Sequence, residues 1–178
     1  SSQEPFEIVL GCSDARVPAE IVFDQGLGDL FVIRVAGNIV APSQVGSVEF
    51  AAERYHTRLV VVLGHEQCGA VQATLEELRR PTEIQSRHLH SIVDRVRPSV
   101  QGLLESQAHL DEAALLNLAV RANIRASANH LRHGSEVLED LIQRDGLLIV
   151  GAEYSLESGV VEFFDGDVNS APVVERGR

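Results

Sequence analysis

Two short runs concentrate the reactive side chains of this sequence. Cys12-Ser13-Asp14-Ala15-Arg16 and His65-Glu66-Gln67-Cys68 hold both of its cysteines. Together they offer two thiolates and an imidazole, ligands that Zn²⁺ favours. Three protein ligands leave a fourth position open, the arrangement of a catalytic rather than a structural zinc. Asp14 and Arg16 stand beside the first thiol. The combination points to a zinc hydro-lyase.

The spacings make local sense. In extended backbone, residues two apart face the same side, so Cys12, Asp14 and Arg16 can point into one pocket. His65 and Cys68, three apart at a strand-to-helix turn, can reach one ion. A helix beginning near Gly69 turns its positive end toward Cys68 and favours the thiolate there. Gly64 and Gly69 flank this cluster and permit close approach of the backbone. A single cysteine after a strand is usually a small buried hydrophobe. It is the joint placement of the two runs that selects a metal. A Cys12–Cys68 disulfide is the oxidised, metal-free alternative.

The elements that must position these residues alternate between strand and helix. Residues 6–11, 30–35, 59–64 and 147–152 are short apolar runs, as expected of strands covered on both faces. Residues 160–164 form a candidate fifth, antiparallel edge strand. Between them the pattern predicts helices over 45–55, after Pro42-Ser43, and over 70–78. A long helix over 111–133 carries the stripe Leu116, Val120, Ile124, Ala128 and Leu131. Gly134 ends it, and Ser135 caps a further helix that buries Val137, Leu138, Leu141 and Ile142. The expected fold class is therefore α/β. It has a mainly parallel four-stranded sheet, an antiparallel edge strand and flanking helices, in one domain over 1–178. In such sheets, sites form beyond the carboxyl ends of the strands, where Cys12 and His65 both fall.

Bulk properties narrow the partners. The net charge is −11, which disfavours nucleic acid and anionic membranes. No apolar run approaches the roughly 18 residues of a membrane span. Two distant cysteines do not make a disulfide framework, and a cytoplasmic location is expected, with a removed signal peptide left open.

The motifs resemble those of the β-class carbonic anhydrases. C-x-D-x-R reads as Cys12 to Arg16, and H-x-x-C-G as His65 to Gly69. Residues 28–38 look like the family's G-[ED]-x-F-V-x-R-x-x-[AG]-N segment. Residues 47–51 resemble its S-[IL]-E-[YF]-A helix, and residues 151–161 its last strand and hairpin. The likeness covers residues 3–164.

The resemblance implies Zn²⁺ held by Cys12, His65 and Cys68, and reversible hydration of CO₂ to bicarbonate and a proton by zinc-bound hydroxide. Asp14 would orient that hydroxide while paired with Arg16, or bind zinc as the fourth ligand in a closed state. Gln3, Phe31, Phe50 and the Gly69 amide are the expected substrate contacts, with the apolar cleft completed by a second subunit. A homodimer or tetramer is implied. Phe50 stands where relatives often have tyrosine, and Val9 where some carry the tryptophan of an inhibitory bicarbonate site. The resemblance therefore implies no such site here and a resting Asp14–Arg16 pair. Only two residues precede Gln3, so the N-terminal arm of relatives is expected to be absent or trimmed.

The competing readings are a COS or CS₂ hydrolase on the same zinc and a catalytically silent zinc protein. Outside the two runs, His130 and His133 read as a solvated helix end, and His88 and His90 as polar surface. Leu103, Leu104 and Leu110 read as core or a subunit seam.

Overall fold

The computed structural model describes residues 3–81 and 86–167. Its centre is a five-stranded sheet in the order β2-β1-β3-β4-β5. The strands are β1 (Glu7–Gly11), β2 (Leu30–Arg34), β3 (Leu59–His65), β4 (Leu148–Tyr154) and β5 (Val161–Asp165). The first four run parallel, and β5 pairs antiparallel with β4. This is the expected sheet, and its apolar runs explain it. All five residues of β1 and six of the seven in β3 are buried, as parallel strands covered on both faces must be.

One face, with Ile8, Leu10, Val60, Val62 and Ile149, belongs to the main core. The other, with Val9, Val61, Leu63, Val150 and Ala152, packs with Ala19 of α1 (Ala19–Val22) in a smaller cluster. The helices on the main face are α2 (Pro42–Arg54), α3 (Gly69–Arg79), α4 (Arg87–Ser106) and α5 (Glu112–His133), followed by α6 (Glu136–Arg144). Pro42 takes the first turn of α2, where its missing N–H costs nothing. Asp111 and Ser135 cap α5 and α6 by accepting from the amides of Ala114 and Leu138.

Three local expectations change. Residues 87–106 form a twenty-residue helix with Pro98 inside it, so His88 and His90 lie on its first turn. Its buried positions Val93, Val96 and Val100 keep helical spacing, but the internal proline reads as a break. Gly134 is the α5 cap at φ −108°, not a left-handed residue. Of the four expected α6 contacts only Leu138 is fully buried, the other three being half-buried.

The buried face of α5 is wider than its apolar stripe because it includes Asn123 and Ser127. Asn123 donates to the carbonyl of Gly37 at 2.7 Å and Ser127 to that of Asn38 at 2.8 Å. These bonds pin a 3₁₀ turn, Ala36–Asn38, after β2. Gly64 in β3 faces Ile124 of α5 so closely that a Cβ there would collide with the isoleucine side chain. The glycine lets the helix settle onto the strand that carries His65.

Candidate metal centre

The strand order reverses between β1 and β3: the chain leaves β1 toward β2 and returns on the other side to β3. Crevices at such a switch point, beyond the strand carboxyl ends, are where open α/β sheets bind ligands. Cys12 follows β1, His65 ends β3, and Cys68 caps the N-terminus of α3. Their ligand atoms lie within 4.8 Å of one another, and all three residues are buried.

Each donor is held by its own element. The Gly37 amide donates to Cys12 Sγ at 3.4 Å, so the α5-pinned turn reaches the first sulfur. His65 Nδ1 lies 2.8 Å from the Glu66 carbonyl. A carbonyl only accepts, so Nδ1 carries the proton and Nε2 presents its lone pair. That Nε2 is buried and has no hydrogen-bond partner. Gln67, at φ 54°, turns the chain between His65 and Cys68.

The two thiols influence one another. The hydrogen bond from Cys68, with help from His65 and nearby amides, draws Cys12 well below the ordinary thiol range. Cys68 is pushed upward by the Cys12 thiolate and by burial, although the Val71 and Ala70 amides of α3 favour its ionised form. The positive helix end does face Cys68 as expected, but the neighbouring thiolate outweighs it. Two sulfurs sharing one proton, beside an unpartnered imidazole nitrogen, form a donor set that a divalent cation of Zn²⁺ type would complete.

Asp14 sits on the exposed side of this cluster, with Oδ2 3.8 Å from His65 Nε2. It is paired with Arg16: Nε donates to Oδ1 at 2.9 Å, a terminal nitrogen to Oδ2 at 2.7 Å, and the Arg16 amide to Oδ1 at 3.0 Å. These bonds hold the Asp14 carboxyl well below the usual carboxylate range. Sequence reasoning passed over Arg34. Its guanidinium donates to the Cys12 carbonyl at 2.8 Å and to the Asp14 carbonyl, tying the loop to the end of β2. The signal was an arginine closing an otherwise apolar strand.

The remaining expected contacts stand elsewhere. Phe31, Phe50 and Tyr55 form an aromatic group with ring centroids 5.8–6.2 Å apart. The Gln3 side-chain amide donates to the Tyr55 hydroxyl at 2.6 Å. Phe31 pairs with Ile8, which places it about 13 Å along the strands from Cys12 at ~3.3 Å per residue. Within one chain, then, Gln3, Phe31 and Phe50 do not meet the Cys-His-Cys cluster. The hydroxyl missing at Phe50 is present nearby on Tyr55, which the motif match overlooked. Gly69 opens α3, where an amide has no acceptor within the helix. No Cβ clash requires a glycine there.

Fold and site together define an α/β protein with a buried Cys-His-Cys group at a sheet switch point, placed so that it could hold a metal ion. The family model for carbonic anhydrase matches residues 7–161. A carbonic anhydrase of Mycolicibacterium smegmatis is 39% identical over 161 residues, covering 90% of this chain and 75% of that protein. The crystal structure of the β-carbonic anhydrase CafA of Aspergillus fumigatus superposes with a TM-score of 0.82 at 25% identity, covering 92% of this chain and 76% of that one. A tetrameric β-carbonic anhydrase from Sordaria macrospora shares the fold, with a TM-score of 0.82 at 22% identity, over 92% and 82% of the two chains. The chain belongs to the carbonic anhydrase family, β class, and is an enzyme of that family. Among the described residues no helix is long and apolar enough to cross a membrane.

Proposed function

We infer that this protein interconverts CO₂ and bicarbonate with a Zn²⁺ ion held by Cys12, His65 and Cys68. The observation that carries the reading is the convergence of three buried donors, with the unpartnered Nε2 of His65 among them and Asp14 alongside. When bound, Zn²⁺ acidifies a coordinated water, as in the three-histidine carbonic anhydrases that are the usual reference, and so supplies a nucleophile near neutral pH.

The chain's own residues do the rest. Asp14, kept ionised by Arg16, accepts a hydrogen bond at the open position and orients the group that donates it. It disfavours an anion that brings no proton. The proton released in each turnover leaves to buffer. Gln3, Phe31 and Phe50, with Tyr55, are remote from the metal centre of their own chain, so their substrate role is assigned to a homo-oligomer, in which one copy's aromatic group would line its neighbour's site. The tetrameric state of the Sordaria macrospora relative supports this reading. Two reduced ligand cysteines suit a reducing compartment, and the cytoplasm is the proposed location.

The test is stopped-flow CO₂ hydration at pH ~7 and ~8.5, with zinc content measured on the same samples. Fast turnover that tracks zinc content is expected. Fully zinc-loaded protein that turns over COS or CS₂ but not CO₂ would overturn the substrate assignment.

A further inference from the structure

Glu66 lies between two metal ligands and has no role in the chemistry above. Its carboxylate is nonetheless bound on two sides: the Ser155 hydroxyl donates to Oε2 at 3.0 Å and the Leu156 amide to the same oxygen at 2.9 Å. Its own amide donates to the Tyr154 carbonyl at 3.1 Å, extending the β3–β4 ladder by one residue. Its carbonyl is the acceptor for His65 Nδ1. Glu66 thus makes four hydrogen bonds, three of them to residues 154–156 at the end of β4 and just beyond it. The fourth decides which nitrogen of His65 faces the cluster.

We propose that Glu66 is a positioning residue for the metal centre, its carboxylate anchoring the 66–67 turn to Ser155 and Leu156 so that its carbonyl fixes the His65 imidazole. The inference rests on Cys12, His65 and Cys68 being the metal ligands. Without the side-chain anchor, one backbone bond to Tyr154 would hold the peptide that orients His65 and sets its spacing to Cys68. Partners that orient a ligating histidine typically contribute 10- to 100-fold to metal affinity. The anchor acts one bond further out, so the loss expected is about tenfold, the lower end of that range. What matters in this arrangement is an acceptor oxygen rather than negative charge, because both partners are neutral donors. Glutamine keeps such an oxygen at the same reach; alanine does not.

The experiment is Zn²⁺ affinity by chelator competition for the wild type, Glu66→Gln, Glu66→Ala and Ser155→Ala. It is accompanied by absorption spectra of the Co²⁺-loaded proteins and melting of the metal-free forms. Glu66→Ala is expected to bind zinc about tenfold more weakly and to shift the Co²⁺ bands. Glu66→Gln should stay within about twofold of wild type with an unchanged spectrum, and Ser155→Ala should fall between. Wild-type affinity in Glu66→Ala, with only its metal-free melting lowered, would overturn the proposal by making the anchor purely structural. A Glu66→Gln as weak as Glu66→Ala would overturn it in favour of charge. If Glu66→Ala does not fold, Ser155→Ala decides: an unchanged affinity there overturns the proposal. A wild type that binds no zinc would sink the metal assignment itself, a result separate from all of these.

Discussion

Asp14 and Arg16 show how much a single pair can settle. The ion pair is half open to solvent on the arginine side, so its worth lies less in stability than in the state it imposes. Three hydrogen bonds from Arg16 keep the carboxylate ionised at every pH where the enzyme would be assayed. They also aim Oδ2 at the open side of the cluster. Asp14→Ala should therefore retain zinc and lose about 10- to 100-fold in kcat/KM. Undiminished turnover at full zinc occupancy would remove Asp14 from the reaction. The residue types of this site were readable in advance, since C-x-D-x-R and H-x-x-C-G are local. Arg34 and Tyr55 were not, because what they touch is decided across strands or between distant segments.

The elements reveal a cost as well as a purpose. Glu7 opens β1 yet is only 6% exposed, and its Oε1 has no partner. Burial raises its pKa from 4.5 to about 7. Between those values the native state holds a proton that the unfolded chain has released, so this group's contribution to stability falls as pH rises and levels off above the native pKa. A shift of that size corresponds to about 3 kcal/mol. Glu7→Gln cannot titrate. Its unfolding free energy relative to wild type should improve by roughly that amount between pH ~5 and ~8, measured by urea denaturation at both. A difference that stays flat with pH would mean the carboxylate is not desolvated.

Strand periodicity announced β1 to β4 and even the edge strand. Helix α4 escaped notice because Pro98 interrupts a run whose Val93, Val96 and Val100 are otherwise regularly spaced. An internal proline is a local penalty that packing against α3 and α5 overrides. The polar members of the α5 face, Asn123 and Ser127, were equally hidden. Their burial makes sense only once the Ala36–Asn38 turn supplies the acceptors.

At the scale of the whole molecule, the half-exposed Phe50 is the informative residue. It stands 51% open to solvent, with Phe31 and Tyr55 against it. An aromatic cluster of this kind at the surface is typical of an interface. Burying a guanidinium there without a partner would be costly. Phe50→Arg is expected to shift sedimentation toward the monomer and depress CO₂ hydration while zinc content stays at the wild-type level. An intact oligomer with normal turnover would argue that the aromatic group is surface packing only.

Fold class, family and the candidate ligand cluster of Cys12, His65 and Cys68, with Asp14 and Arg16 beside it, were legible in the chain alone. These rest on runs of apolar residues and on donors only a few positions apart, and local order carries both kinds of information. It took the assembled fold to show that β1 and β3 lie side by side at the switch point, bringing Cys12 within reach of His65 and Cys68. It alone showed that Gln3, Phe31 and Phe50 gather around Tyr55 away from that centre. It alone showed that Glu66 is tied to the chain beyond β4. Each of these depends on strand pairing and helix packing between segments far apart in the chain, and hydrogen-bond partners at that separation are chosen by the assembled fold, not by neighbours in sequence.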